Sequence, residues 1–204
     1  MEGSAYSRLK PYLASDKIVN SQSGEIPTCP ISVFTKGMHA NSYFFGHPEW
    51  GKEYFETAHR SKPFKERWNA VMGSWDDKII VDIGCGPGNV YATVGGSPKL
   101  LIGVDISVGA LKIAREVGYA PILADAHHLP FVNGFADIVV ANATIHHCDD
   151  MGRILTFDSL YIVYLGTSIL FLMRKDTRVG KLRFTTKDRG MVSHQKFTIR
   201  LWNH

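Results

Sequence analysis

Cysteine is scarce in this chain: three in 204 residues, Cys29, Cys85 and Cys148, with no C-x-x-C pair among them. That pattern argues against a disulfide framework or a structural zinc site and favours a reducing compartment. Long apolar runs are also lacking. The longest, Leu160 to Met173, is interrupted by Gly166, Thr167 and Ser168 and falls short of the ~20 residues that cross hydrocarbon. No transmembrane segment is expected. The opening MEGSAYSRLKPYLASDK has no apolar core of signal-peptide length and carries acidic residues, so a cytoplasmic location is expected and an organellar address stays open. With 45% hydrophobic and 21% charged residues, the composition is that of a globular chain rather than a disordered one. A chain of this size buries roughly 70% of the surface it exposes when unfolded, enough for one sizeable core.

Charge is unevenly spread. Residues 174 to 204 hold nine Lys/Arg against two Asp, a net of +7, which leaves −3 for residues 1 to 173 out of the total of +4. A basic tail can meet RNA phosphates or an acidic membrane, but mixed charge of this kind usually marks a solvated face.

The texture changes near residue 78. Before it, GEIPTCP at 24 to 30 reads as loop because of its two prolines. EWGKEYFETAH and KPFKERWNAVM, between Pro48 and Met72, read as two short amphipathic helices. Tyr43, Phe44, Phe45, Trp50 and Tyr54 of this leader either close a site or, the plainer reading, pack as core. Residues 1–75 are thus expected to be a helical leader, part of one domain with the core at 76–204.

From residue 78 strands and helices alternate. Ile79 to Ile83, Leu100 to Asp105, Pro121 to Asp125 and Ala136 to Asn142 read as buried parallel strands. Ala110, Leu111, Ala114 and Val117 recur at helical spacing, with Ser107 as N-cap and Gly118 as terminator. Beyond His147 the spacing suggests a helix over Met151 to Leu165, a fifth strand over Ser168 to Met173, and a terminal hairpin of Lys181 to Thr186 with Gln195 to Trp202. The fold class expected is α/β: a Rossmann-like, doubly wound, mostly parallel sheet with helices on both faces, which binds its ligand at the carboxyl ends of the strands.

A glycine-rich turn, Gly84-Cys85-Gly86-Pro87-Gly88-Asn89, follows the first strand directly. Glycine there permits a tight turn and close backbone approach to a ligand. The dinucleotide pattern G-x-G-x-x-G would need a third glycine where Asn89 stands, and Pro87 removes an N–H that would cradle a pyrophosphate. A nicotinamide dehydrogenase is therefore disfavoured, and a nucleoside without phosphates fits better. Asp105, about 20 residues after the first glycine, can accept both hydroxyls of a ribose. Asp125, at the third strand end, can accept an adenine amino group beside the small Ala126. Each aspartate alone could equally be a cap; the joint spacing favours the ligand reading.

VDIGCGPG, GVDIS, LADAHHLPF and ADIVVANATIHH resemble, in order and spacing, the motifs of class I S-adenosylmethionine-dependent methyltransferases. The resemblance covers roughly residues 78 to 148 and is strongest to small-molecule methyltransferases with a paired histidine after the fourth strand. It implies S-adenosylmethionine as cofactor and a small organic methyl acceptor. Gly84, Gly86 and Gly88, with Cys85 in the same loop, would line the methionine portion, and Asp82 would steady the loop. Asp105 would hold the ribose, Ile106 would lie against the adenine, Asp125 and Ala126 would meet its edge, and Asn142 would lie near the sulfonium. His146 or His147 would serve as general base where the acceptor needs one; packing is the plainer role. A metal site in IHHCDD is not expected, because adjacent side chains diverge.

The resemblance fades after residue 148. Only Asp176 to Gly180 separates the expected fifth strand from the terminal hairpin, too little for the helix the family places there, so a shortened C-terminal part is expected. Two alternatives follow: a non-catalytic or truncated S-adenosylmethionine-binding module, and an RNA methyltransferase using the basic tail. The second ranks lower because no catalytic tetrad of base-modifying enzymes is visible, and nucleic acid is not the expected partner.

Overall fold

The computed structural model describes residues 5–16, 19–20, 25–31, 33–50, 53, 66, 73–142, 144, 160–165 and 169–173. Its centre is a sheet built from β1 (Ile79–Ile83), β2 (Leu100–Asp105), β3 (Ala120–Leu123), β4 (Ile138–Asn142), β5 (Leu160–Leu165) and β6 (Ile169–Met173), in the order β3-β2-β1-β4-β5-β6. β1 to β5 run parallel and β6 is antiparallel to β5. The order reverses between β1 and β4. At such a switch point the connections leave in opposite directions and open a crevice at the carboxyl ends of the strands.

Alternation along the strands builds two cores. Ile79, Val81 and Ile83 join Ile102, Val104, Ile122 and Val139 on one face; Ile80 joins Leu101, Ile138 and Val140 on the other. Strands so buried on both faces must be apolar throughout. Asp82, fully buried in β1, breaks that rule.

Helices cover both faces. Leu9 of α1 (Ala5–Leu9) and Tyr12 of the following 3-10 turn pack on the first core. On the second lie α3 (Asn89–Val94) and α4 (Val108–Val117), whose Val90, Leu111 and Ala114 are buried there. α4 has the ends its sequence foretells: the Ser107 side chain accepts from the Ala110 N–H, and Gly118 closes the helix at φ 118°. The leader contributes more than a helical cover. Cys29 donates its N–H to the Leu123 carbonyl, and Leu123 donates to Pro27, each at 2.8 Å, so the proline-flanked loop shields the otherwise open edge of β3.

α2 (Lys36–Gly46) lies across the start of α4. A Cβ on Gly109 would stand 2.6 Å from the Gly46 carbonyl oxygen, so only glycine allows this crossing. The contact uses the small face of α2, and its Tyr43 (70% exposed) and Phe44 (38%) turn outward, as does Trp50 (46%) beyond the helix end. The expectation that these aromatics pack as core is therefore corrected for Tyr43, Phe44 and Trp50, while Tyr54 lies outside the described residues. Of the two helices expected between Pro48 and Met72, Trp50, Glu53 and Glu66 are helical and most of the remainder lies outside the described residues.

The expected helix over Met151 to Leu165 is corrected in its second half, where Leu160–Leu165 is the fifth strand and Ile169–Met173 the sixth. Leu-Tyr-Ile-Val-Tyr-Leu is rich in β-branched and aromatic residues that suit a pleated sheet, and an apolar run of that length does not by periodicity distinguish a buried strand from a buried helix. The expected terminal hairpin lies outside the described residues.

Candidate functional site

The carboxyl ends of β1, β2, β3 and β4 carry, in turn, the glycine-rich turn, Asp105, Asp125 and Asn142. Parallel pairing with β1 central aligns these ends. Gly84, Gly86 and Gly88 all adopt the left-handed region, at φ 69°, 53° and 92°, which other residues enter only at a cost. Space adds a second requirement. A Cβ on Gly84 would collide with the Thr144 side chain, and one on Gly88 would stand 2.9 Å from Tyr119 Cε2. Two of the three glycines are thus demanded by the protein's own side chains.

The turn is anchored on both sides. Gly84 and Cys85 donate their N–H groups to the Val104 carbonyl, at 2.7 and 3.1 Å. Asp105 Oδ2 accepts the Gly86 N–H at 2.9 Å and Oδ1 the Ser107 N–H at 2.8 Å. The Cys85 side chain points into the core against Gly103; burial, with the charges of Asp105 and Asp82, pushes its thiol well up and keeps it protonated.

Behind the turn, Asp82 Oδ2 accepts the Tyr119 hydroxyl at 2.8 Å, while its Oδ1 is buried and has no hydrogen-bond partner among the described residues. Burial raises the Asp82 carboxyl to about 7, opposed by the Tyr119 hydrogen bond and aided by the Asp105 charge. Burial also raises Asp105, against the N–H donors that hold its charge. Asn89 Nδ2 is a second buried group without a partner among the described residues.

At the end of β3, Asp125 Oδ1 accepts the His127 N–H at 3.0 Å and lies 2.7 Å from His127 Nδ1. His128 Nδ1 is 3.7 Å from Oδ2. Burial works to raise the Asp125 carboxyl, but the two bonds from His127 and the nearby imidazoles win and hold it below its ordinary range. Ile106 and Ala126 are half-buried beside Asp105 and Asp125, and Asn142 is buried at the end of β4. His146 and His147 lie outside the described residues.

Three residues here have no role assigned by the motifs: Tyr119, Thr144 and His127. Only the Gly118-Tyr119 step carried a usable signal. Gly118 and Tyr119 close α4 by donating to Arg115 and Ala114, each at 3.1 Å, the double bond of a Schellman motif.

Residues 81–156 match the family described as "Methyltransferase domain". The chain is similar to a tRNA (carboxymethyluridine(34)-5-O)-methyltransferase of Arabidopsis thaliana, 36% identical over 76 residues, covering 37% of this chain and 18% of that one. It is also similar to a ubiquinone biosynthesis O-methyltransferase of Thiobacillus denitrificans, 26% identical over 109 residues, covering 50% of this chain and 47% of that one. The chain therefore spans less than half the length of either relative. Among solved structures, a Thermotoga maritima S-adenosylmethionine-dependent methyltransferase shares 24% identity at a TM-score of 0.48, over 61% of this chain and 59% of that one. Residues 81–156, 76 of the chain's 204, therefore carry the similarity to methyltransferase domains.

Proposed function

We propose that this chain binds S-adenosylmethionine across the carboxyl ends of β1 to β4 and methylates a small organic acceptor. The observation that carries the reading is the Asp105 carboxylate, which spends one acceptor site per oxygen on Gly86 and Ser107. A carboxylate offers about four such sites, and with the Ile106 N–H also directed at it acceptor capacity remains for a ribose hydroxyl. The other groups fit the cofactor as well. Asp125 Oδ2 is available to an amino group on adenine, with Ala126 and Ile106 flanking the ring. The unpartnered Asp82 Oδ1 and Asn89 Nδ2 complement, as acceptor and donor, the ammonium and carboxylate of a methionine portion lying over Gly84, Gly86 and Gly88. Asn142 would lie near the sulfur.

When bound, the cofactor supplies a methyl group on a cationic sulfur, a leaving group that needs no protonation. What the protein must add is orientation, and holding two reactants in line accounts for a large share of such a rate enhancement. For a hydroxyl or an acidic carbon as acceptor, His146 or His147 takes the proton.

Calorimetric titration with S-adenosylmethionine and, separately, NAD tests this. Micromolar binding of the first alone, lost in Asp105→Ala, is the expected result. No binding by folded wild-type protein overturns the reading and leaves a degenerate module.

A second reading, an RNA acceptor, draws on the Arabidopsis similarity and the +7 of residues 174–204. It requires RNA binding that weakens steeply with salt and vanishes when that tail is removed.

A further inference from the structure

Gly88 is the N-cap residue of α3, and it has no side chain with which to cap. The first N–H groups of a helix have no partner within it, so something else must serve. Tyr91, in the first turn, donates its N–H to the Tyr119 hydroxyl at 3.3 Å. That hydroxyl in turn donates to Asp82 Oδ2 at 2.8 Å. A residue 28 positions away thus takes the place of the capping side chain and ties the helix that follows the turn to the strand that precedes it.

The ring matters as well as the hydroxyl. It fills the space that a Cβ would need on Gly88 and on Gly103, with Tyr119 carbons at 2.9 and 2.8 Å from those positions, and meets Tyr91 edge to face at 6.0 Å. The Schellman closure of α4 fixes where Tyr119 leaves the helix. Burial, with the charges of Asp82 and Cys85, pushes its phenol well above the ordinary range and keeps it a donor.

We propose that Tyr119 is a positioning residue of the cofactor site: its hydroxyl caps α3 in place of Gly88 and, through Asp82, locks the glycine-rich turn in the shape that receives the methionine portion of S-adenosylmethionine. This rests on the cofactor reading above. Tyr119 itself need not touch the ligand. Among the described residues, the groups facing Asp82 are Tyr119, Cys85 and Asp105, of which Asp105 is the one other carboxylate.

The test is calorimetric titration of the whole chain with S-adenosylmethionine from pH 6 to 8, for wild type, Tyr119→Phe and Asp82→Asn. Phenylalanine keeps the ring and removes only the relay. Wild-type affinity is expected to rise with pH as Asp82 ionises towards a cationic ligand. Tyr119→Phe is expected to bind about tenfold more weakly at pH 7, the scale of a lost cap and hydrogen bond. Its pH midpoint should move upward, because the bond that favours the Asp82 anion is gone. Asp82→Asn should show a flatter profile.

A purely structural ring would leave Tyr119→Phe with wild-type affinity and wild-type pH profile, and that result overturns the proposal. Hydrogen exchange at the Tyr91 amide of wild-type protein provides an arm that needs no variant. Protection is expected, and exchange at the rate of an uncapped first turn refutes the relay. Failure of wild type to bind S-adenosylmethionine at all is a separate outcome, which overturns the cofactor reading and with it this role for Tyr119.

Discussion

Asp105 Oδ2 accepts the N–H of Gly86 at 2.9 Å, so the middle glycine of the β1 turn is fastened to the last residue of β2. One side chain sets the turn's shape and stands at the expected ribose position. Asp105→Asn replaces one acceptor oxygen by an N–H donor facing a backbone N–H, and is expected to weaken S-adenosylmethionine binding by roughly 10- to 100-fold, the scale of one or two charge-assisted hydrogen bonds. Wild-type affinity in this variant, measured by calorimetry, would remove Asp105 from the site.

The pH dependence of stability follows from Asp82. Its folded value of about 7 stands above the ordinary ~3.9 of an unfolded aspartate. Between those values the unfolded chain has released a proton that the folded chain still holds. The Asp82 contribution to stability is therefore greatest below pH ~4, falls as pH rises towards 7 and levels off above it. The loss attributable to Asp82 is at most ~4 kcal/mol. Asp105, also raised, adds a fall of the same sign. Asp125 is lowered, and its contribution is lost only as pH falls through the acid range. Urea unfolding at pH 5 to 8 should show the decline in wild type and a shallower one in Asp82→Asn. Equal slopes would mean that Asp82 titrates normally.

Gly84→Ala must enter the left-handed region at φ 69° and drive its methyl group into Thr144. Strain of ~1–2 kcal/mol and overpacking of ~1–3 kcal/mol combine. Thr144→Ala in the same chain should recover the overpacking part and leave the strain. Strictly additive urea midpoints for the two changes would show that the contact carries no energy.

Asp125 offers discrimination between bases. An analogue of the demethylated cofactor with inosine in place of adenosine presents a carbonyl where the amino group stood, opposite Asp125 Oδ2. Wild type should prefer the adenosine compound by at least ~tenfold, since an unpaired buried acceptor is costly. Asp125→Ala should abolish the preference. In His127→Ala, where the carboxylate loses its bond to the imidazole, the preference should shrink without vanishing. A preference that survives Asp125→Ala places the adenine elsewhere.

Much of the fold is legible in the residues because it is local. Alternating apolar strands, the Ser107 cap and the Gly118 terminator are set by neighbours a few positions away, and the structure reproduces them at Val108–Val117. Leu160–Leu165 was not legible, because six apolar residues satisfy a helix and a strand alike until a neighbouring strand is available, here β4. The outward aromatics of α2 escaped for a similar reason: which face of the helix docks was decided by the meeting of Gly46 with Gly109.

For the candidate site, sequence alone determined the chemistry on offer: a glycine-rich turn after one strand and a carboxylate at the end of each of the next two. Spacing along a chain records such things because parallel strands of similar length bring their ends together. Tertiary structure decided what holds those groups in place. Thr144 against Gly84, His127 on Asp125, and Tyr119 between Asp82 and the start of α3 involve single residues to which no motif assigns a role. Their partners become neighbours only once the sheet has formed, and the close packing of a protein interior then leaves them one arrangement.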